Sequence, residues 1–361
     1  MSPTGSLPTR RFASHADASR YFHDQGWTDG LPIVAPTPDS VRVMASAAGR
    51  APAEVVGEFP PRRRSLSVWQ AATYAVMAGC EPAHFPMVLA TWEAMFDPRF
   101  NLQGVLSSSG GAAILAVASG PGAAEIGMNA GSGLLGPGNR ANATIGRAIR
   151  LGIIAGLGVA PGGFDASAFG HAGKYTFHFA ESEPPPPWSP VRVRLGFARD
   201  ATTVTILGAG APRQITQRTG GTPESILAAI ATSMRTPAQN VTGHGSYFVI
   251  VLGPEHAGII CEQGWSDDMV RDQLADTSKV TAADAARAGF HPTAGPDEEG
   301  RYVTARPSDI LIVTAGGPGA AWSLVVRCWT RVDGTQPVTR EVVRPGVATG
   351  GRLTVADSSF S

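Results

Sequence analysis

The stretch Ala113-Ile114-Leu115-Ala116-Val117-Ala118-Ser119-Gly120-Pro121-Gly122-Ala123-Ala124 reads as a buried strand, a glycine turn and a helix opened by proline. Proline at the first helical position gives up no hydrogen bond, because the first N–H groups of a helix have no partner inside it. Those free N–H groups and the helix dipole can hold an anion, and ligands of open α/β sheets gather at such turns. The pattern recurs in Phe248-Val249-Ile250-Val251-Leu252-Gly253-Pro254-Glu255-His256-Ala257. It recurs once more in Ile310-Leu311-Ile312-Val313-Thr314-Ala315-Gly316-Gly317-Pro318-Gly319-Ala320-Ala321.

The repeats align further. Gly120, Pro121, Ala124 and Ile126 match Gly253, Pro254, Ala257 and Ile259, and Gly317 to Ala321 repeats Gly120 to Ala124 letter for letter. Two halves arisen by duplication would produce this, and so would the frequency of small residues after strands in a Gly/Ala-rich chain. The expected fold is α/β: two related α/β halves with mainly parallel or mixed sheets packed around a central cleft. Glu183 is followed by Pro184-Pro185-Pro186-Pro187-Trp188, which can join neither a helix nor a central strand. The expected division is therefore an N-terminal α/β domain over 1–183, a linker over 184–189, a C-terminal α/β domain over 190–344 and a tail over 345–361.

Between these marks, 13–27 reads as a helix, and Thr37 caps another opened by Pro38. Residues 67–77 and 82–95 form an apolar helical pair, 141–157 a long helix and 223–234 a helix capped by Thr222. Lys174 to Phe179, Val191 to Phe197 and Thr203 to Leu207 alternate as strands do.

At 361 residues the chain is long enough for two domains, and 43% hydrophobic against 16% charged residues suits a compact, well-buried protein. Lys plus Arg equal Asp plus Glu at 29 each, so charge gives no case for nucleic acid or an anionic membrane as partner. Three widely spaced cysteines, Cys80, Cys261 and Cys328, suggest no disulfide framework and fit a reducing cytoplasm. Met1 to Ala13 has no apolar core and does not read as a secretory signal. The apolar run 151–160 is far short of the roughly 20 residues a membrane span needs. The expected partners are a small-molecule substrate and, through the polar tail, further copies of the chain.

Candidate chemistry follows from residue type and position. The loop Gly131 to Arg140 offers flexible N–H groups, a helix start and a guanidinium, a combination suited to a carboxylate, phosphate or developing oxyanion. Gly136, Gly138, Asn139, Arg140 and Asn142 are its substrate-binding candidates. It lacks the Lys-Ser/Thr of a P-loop. Its literal Gly-x-Gly-x-x-Gly follows Met128-Asn129-Ala130 rather than a strand, which argues against a dinucleotide. Cys80, with His84 four residues on, is the candidate nucleophile or redox thiol, although its apolar neighbours would raise its pKa. His256, just past Pro254 and beside Glu255, is the candidate general acid/base, preferred to His244. Lys174 and His178, with His171 and Tyr175 nearby, add polar groups from the first half. No His-x-x-x-His or Cys-x-x-Cys spacing occurs, so no cofactor is expected; a metal held by dispersed histidines stays open.

Three strings, Gly26-Trp27-Thr28-Asp29-Gly30-Leu31-Pro32-Ile33-Val34, Val76-Met77-Ala78-Gly79-Cys80-Glu81-Pro82 and Gly136 to Arg147, resemble those of a poorly characterised bacterial family. That family is related to the UGSC-type (seleno)proteins and, more remotely, to glycine reductase component B. The resemblance implies thiol chemistry, but the chain lacks the selenocysteine or Cys-Gly-Ser-Cys motif of those proteins. Only Cys80 could carry a reactive sulfur over. The expected function is an enzyme acting on a small anionic or carbonyl-bearing organic substrate, by thiol-dependent reductive or lyase chemistry. The alternatives are a cysteine-independent lyase or hydrolase at the same cleft, and a non-catalytic ligand-binding or assembly subunit.

Overall fold

The computed structural model describes residues 10–219, 221–235, 246–289, 295–319, 321–329 and 335–345. His244 and the tail beyond Pro345 lie outside the described residues. The strands are β1 (Val55–Phe59), β2 (Arg64–Ser67), β3 (Ala113–Ser119), β4 (His178–Ala180), β5 (Thr203–Ala209), β6 (Arg213–Thr216), β7 (Phe248–Leu252), β8 (Val280–Thr281), β9 (Arg301–Tyr302), β10 (Ile310–Thr314), β11 (Trp322–Arg327) and β12 (Val338–Glu341).

Two four-stranded sheets dominate, ordered β12-β5-β3-β4 and β6-β11-β7-β10. In the first, β3 is parallel to β4 and antiparallel to β5, which is antiparallel to β12. In the second, β7 is parallel to β10 and antiparallel to β11, which is antiparallel to β6. The outer strands are exchanged: β6 follows β5 but pairs with β11, and β12 follows β11 but pairs with β5. Where the two paths cross, Gly210 N–H donates to Arg327 O at 2.9 Å and Trp329 N–H donates to Gly208 O at 2.6 Å.

Side-chain alternation sets the layers. Ala113, Leu115 and Val117 of β3 join Val249 and Val251 of β7, Leu311 and Val313 of β10, and Phe177 and Phe179 in one buried cluster. The intervening Ile114, Ala116 and Ala118 face outward onto the helices Val68–Ala78, Phe85–Met95 and Arg140–Leu151. Phe248, Ile250 and Leu252 face outward onto Pro223–Met234, Pro254–Glu262 and Asp267–Thr277. The order is therefore helices, sheet, sheet, helices. The central cleft expected between the halves is filled by apolar side chains, because both sheets need an apolar partner for their inner faces.

The helices start where capping chemistry predicts. Thr37 and Ser40, Ser67 and Gln70, and Thr222 and Ser225 form capping boxes, and Pro38 and Pro223 open their helices. The turn after β3 needs glycine: Gly120 has φ of 124°, and a Cβ there would lie 2.3 Å from Ala201 O.

Several expectations change. Strand, glycine and helix succeed one another after β3 and β7, but among the described residues no helix follows Pro318. Only the residues to Ala321 separate it from β11, and Gly319 N–H is held by the Glu255 carboxylate at 2.6 Å. Val191–Arg194 is a helical turn rather than a strand, since the Glu181 carboxylate accepts the Val191 N–H and Arg192 turns inward. Lys174 closes a 3-10 turn, and the strand begins only at His178. The proline run at 184–189 does not bound a hydrogen-bonded unit: β5 and β12, both beyond it, complete the sheet of β3 and β4.

Candidate active site

Helix Arg140–Leu151 is the spine of the first half's polar chemistry. Asn139 caps it, its Oδ1 accepting the Asn142 N–H at 2.8 Å while its Nδ2 donates to Gly127 O at 2.8 Å. Asn142 is buried; its Oδ1 accepts from Asn129 N–H and its Nδ2 donates to Asn129 O, both at 3.0 Å. The two asparagines thus tie down the glycine-dense loop. Gly136 and Gly138 sit exposed on that loop. Arg140 donates to Gly79 O at 3.1 Å and pairs with Glu81 at 2.6 Å.

Cys80 lies beside this helix start and is buried. Burial pushes its thiol up to about 12, against the pull of a Thr144 hydrogen bond and the Arg140 charge. A thiol so held is protonated at neutral pH and is a poor nucleophile. His84 Nδ1 accepts the Glu81 N–H at 3.2 Å and lies 3.5 Å from Thr144 Oγ1; burial lowers its pKa.

His256 and Glu255 are elsewhere. His256 is fully buried, with Nε2 3.1 Å from Gln217 O and Nδ1 2.7 Å from Ser323 Oγ. A carbonyl only accepts, so Nε2 carries the proton and Nδ1 accepts from the serine hydroxyl. Both nitrogens are occupied. Their helix, Pro254–Glu262, packs in the outer layer on the second sheet, whereas Arg140–Leu151 packs on the first. Two sheets therefore stand between His256 and the pair Cys80 and Arg140. The geometry does not unite the residues expected to share one crevice.

It unites others. Nearly three turns along the same helix, Arg150 Nη2 donates to Asp165 Oδ2 at 2.9 Å, and Lys174 Nζ reaches the same carboxylate at 2.8 Å. Lys174 also donates to Ser167 Oγ at 2.6 Å, and the Ser167 hydroxyl donates to Asp165. The Asp165 side chain is 2% exposed. Burial alone would raise its pKa, but hydrogen bonds from Lys174, Ser167 and Arg150 hold the carboxyl well below its ordinary range. Burial lowers the Lys174 pKa, opposed by Asp165. Next to them Arg147 grips Asp29 with two bonds, at 2.8 and 2.9 Å, and donates to Pro32 O at 2.7 Å.

The Asp165 cluster and Asp29 border an open cleft of about 470 Å³ lined by Thr28, Asp29, Gly30, Arg150, Asp165, Ser167, His171, Lys174 and Tyr175, among others. Among the lining residues Arg150 and Lys174 balance Asp29 and Asp165, and Arg147, bound to Asp29, lies outside the lining. His171 Nε2 meets Ala209 O at 3.2 Å, and burial lowers its pKa. His178, on β4, lines a small crevice shared with Arg150, Lys174 and Tyr175.

No family model matches this chain, and no curated protein does. Among the described residues no helix is long and apolar enough to cross a membrane, and no cluster of three His, Cys, Asp or Glu side chains could hold a metal.

Of the ten expected site residues, Lys174 and His178 border this cleft or its crevice, as do His171 and Tyr175, expected beside them. Sequence reasoning missed Asp29, Asp165 and Arg150 as partners. One signal was readable: two of the quoted strings carry opposite charges, Asp29 within one and Arg147 at the end of the other, and those charges pair. The third string joins them, with Val34 N–H donating to Met77 O at 3.1 Å and Arg140 bound to Gly79 and Glu81.

Proposed function

We propose that the protein is an enzyme acting on a small anionic or carbonyl-bearing organic substrate by cysteine-independent lyase or hydrolase chemistry. The reacting cleft is the one bordered by Arg150, Asp165 and Lys174. One observation carries this reading: two cations and a serine hydroxyl converge on a single buried carboxylate at the wall of an open cleft. Such a constellation keeps its cations fixed and partly desolvated, which strengthens their hold on an anion. Lys174, whose ammonium is disfavoured by burial, is the group that gives or takes a proton at Nζ. The protonated Cys80 thiol is why the thiol-dependent branch is set aside.

Self-association, cytoplasmic residence and origin by duplication belong to the same reading. Duplication is supported by the matching strand directions of the two sheets and their exchanged outer strands.

The test pairs binding with turnover. Small carboxylic acids should raise the melting temperature of the wild type and slow acylation of Lys174. The Arg150→Gln variant should lose about 2–5 kcal/mol of that binding. At least one acid should be consumed by the wild type and not by Lys174→Met, followed by proton NMR. Binding without consumption of any acid would leave a ligand-binding subunit. Binding that survives Arg150→Gln unchanged would remove the site.

A further inference from the structure

Resting on the function proposed above, we infer that the cleft selects hydroxy- and oxo-carboxylates, the carboxylate on Arg150 and Lys174 and the uncharged oxygen against the imidazole of His178. The inference begins with an unpaired group. His178 is 3% exposed, and neither Nδ1 nor Nε2 has a hydrogen-bond partner. Leaving a buried polar group unpaired costs about 1–3 kcal/mol, so an orphaned imidazole calls for a reason.

Its placement supplies one. Phe177 and Phe179 point into the apolar space between the sheets, so His178 points the other way, toward helix Arg140–Leu151. That helix approaches unusually closely: a Cβ on Gly146 would lie 2.8 Å from His178 Nδ1. Thr176, the nearest hydroxyl there, already donates to Asn142 O at 2.7 Å. The ring lines a crevice whose other polar walls are Thr176, Arg150, Lys174 and Tyr175, the last three shared with the open cleft. The crevice has room for little more than one water-sized group. That suits a single hydroxyl or carbonyl oxygen and excludes a second carboxylate or a phosphate. Burial also holds the ring neutral, with a pKa of about 3, so one nitrogen donates and the other accepts. A neutral imidazole can therefore serve a carbonyl or a hydroxyl, and it adds no charge to compete for the carboxylate.

Calorimetry on the full chain with matched acids tests this: propionate against lactate and pyruvate, and succinate against malate. The wild type should bind each oxygenated acid about tenfold to a hundredfold tighter than its plain counterpart. His178→Phe and His178→Asn should shrink that ratio to near one while leaving propionate and succinate bound as before. If either variant fails to fold, the other carries the comparison. Arg150→Gln should weaken all the acids alike. Equal affinity of the wild type for plain and oxygenated acids, or a ratio that survives both substitutions, overturns the role of His178 and leaves the anion site intact. Failure of the wild type to bind any of these acids overturns both readings.

Discussion

The two parallel crossovers, β3 to β4 and β7 to β10, have the same direction and the same Gly-Pro opening, yet they hold their charges differently. In the first, Arg140 reaches back to Glu81 and Arg147 to Asp29, while Arg150 and Lys174 meet on Asp165 in the loop between them. In the second, most pairs are one helical turn apart: Arg271 with Asp267 and Asp268, Lys279 with Asp276, Arg287 with Asp284, although Lys279 also reaches Asp297 and Arg301 reaches Asp276. Pairs within a turn steady a helix and require nothing of the tertiary fold. Pairs between distant segments hold those segments in one geometry, as a reacting site requires. The same topology thus serves structure in one half and a constellation in the other.

The sharpest break in that comparison is at Asp165. Replacing it with Asn leaves Arg150 and Lys174, whose side chains are largely buried, without a counter-charge. The expected loss is about 3–5 kcal/mol of folding stability, read from urea unfolding. A loss below about 1 kcal/mol would mean that the cluster is no more than a surface network, and the contrast would dissolve.

The strand ends differ in the same sense. After β10 comes Ala315, donating its N–H to Leu252 O; after β4 comes Glu181, donating to Ala118 O. Burial pushes the Glu181 carboxyl up to about 7, although Ser119, the Val191 N–H and the charges of Arg194 and Arg192 pull the other way. Between the ordinary value of 4.5 and about 7 the folded state keeps a proton that the unfolded chain releases. This group's contribution is therefore fully present below pH 4.5 and lost as pH rises through 7. His178 acts oppositely: its depressed pKa removes stability as pH falls below the ordinary 6.5. The two slopes oppose each other in the wild type, so the measurement is a difference. Between pH 4.5 and 7, the wild type should lose roughly 2–3 kcal/mol relative to Glu181→Gln. A flat difference would show that the carboxyl titrates normally.

Local order was legible in the chain because its causes are local. Thr37, Ser67 and Thr222 announce helix starts by side-chain geometry alone, and the unbroken burial of 113–119 and 248–252 follows from their apolar composition. The exchange of β6 and β12 was not legible, since no residue within Arg213–Thr216 or Val338–Glu341 states which of two similar sheets it will join. Val191–Arg194 misled because Val-Arg-Val-Arg has strand periodicity, while the Glu181 carboxylate at its N-terminus favours a helical turn. His256 looked catalytic from its place after Pro254; its hydrogen-bond partners, Gln217 O and Ser323 Oγ, come from β6's end and β11, which sequence does not bring near. Asp165 was invisible for the same reason. Its importance lies wholly in what converges on it.

The smallest effect is the control on the whole comparison. Arg287 and Asp284 form an exposed pair one turn apart on helix Ala282–Arg287 of the second crossover, at 2.9 Å. Water screens such a pair, and holding two long side chains together offsets much of the attraction, so Arg287→Ala should shift stability by no more than about 0.5 kcal/mol. It should also leave binding of every acid in the first-half cleft unchanged, because no ion pair or hydrogen bond links it to Arg150, Asp165 or Lys174. The informative failure is a large effect. If Arg287→Ala approached Asp165→Asn in magnitude, separation along the chain would not be what distinguishes a structural pair from a constellation. The placement of chemistry in the first crossover would then have to rest on the cleft alone.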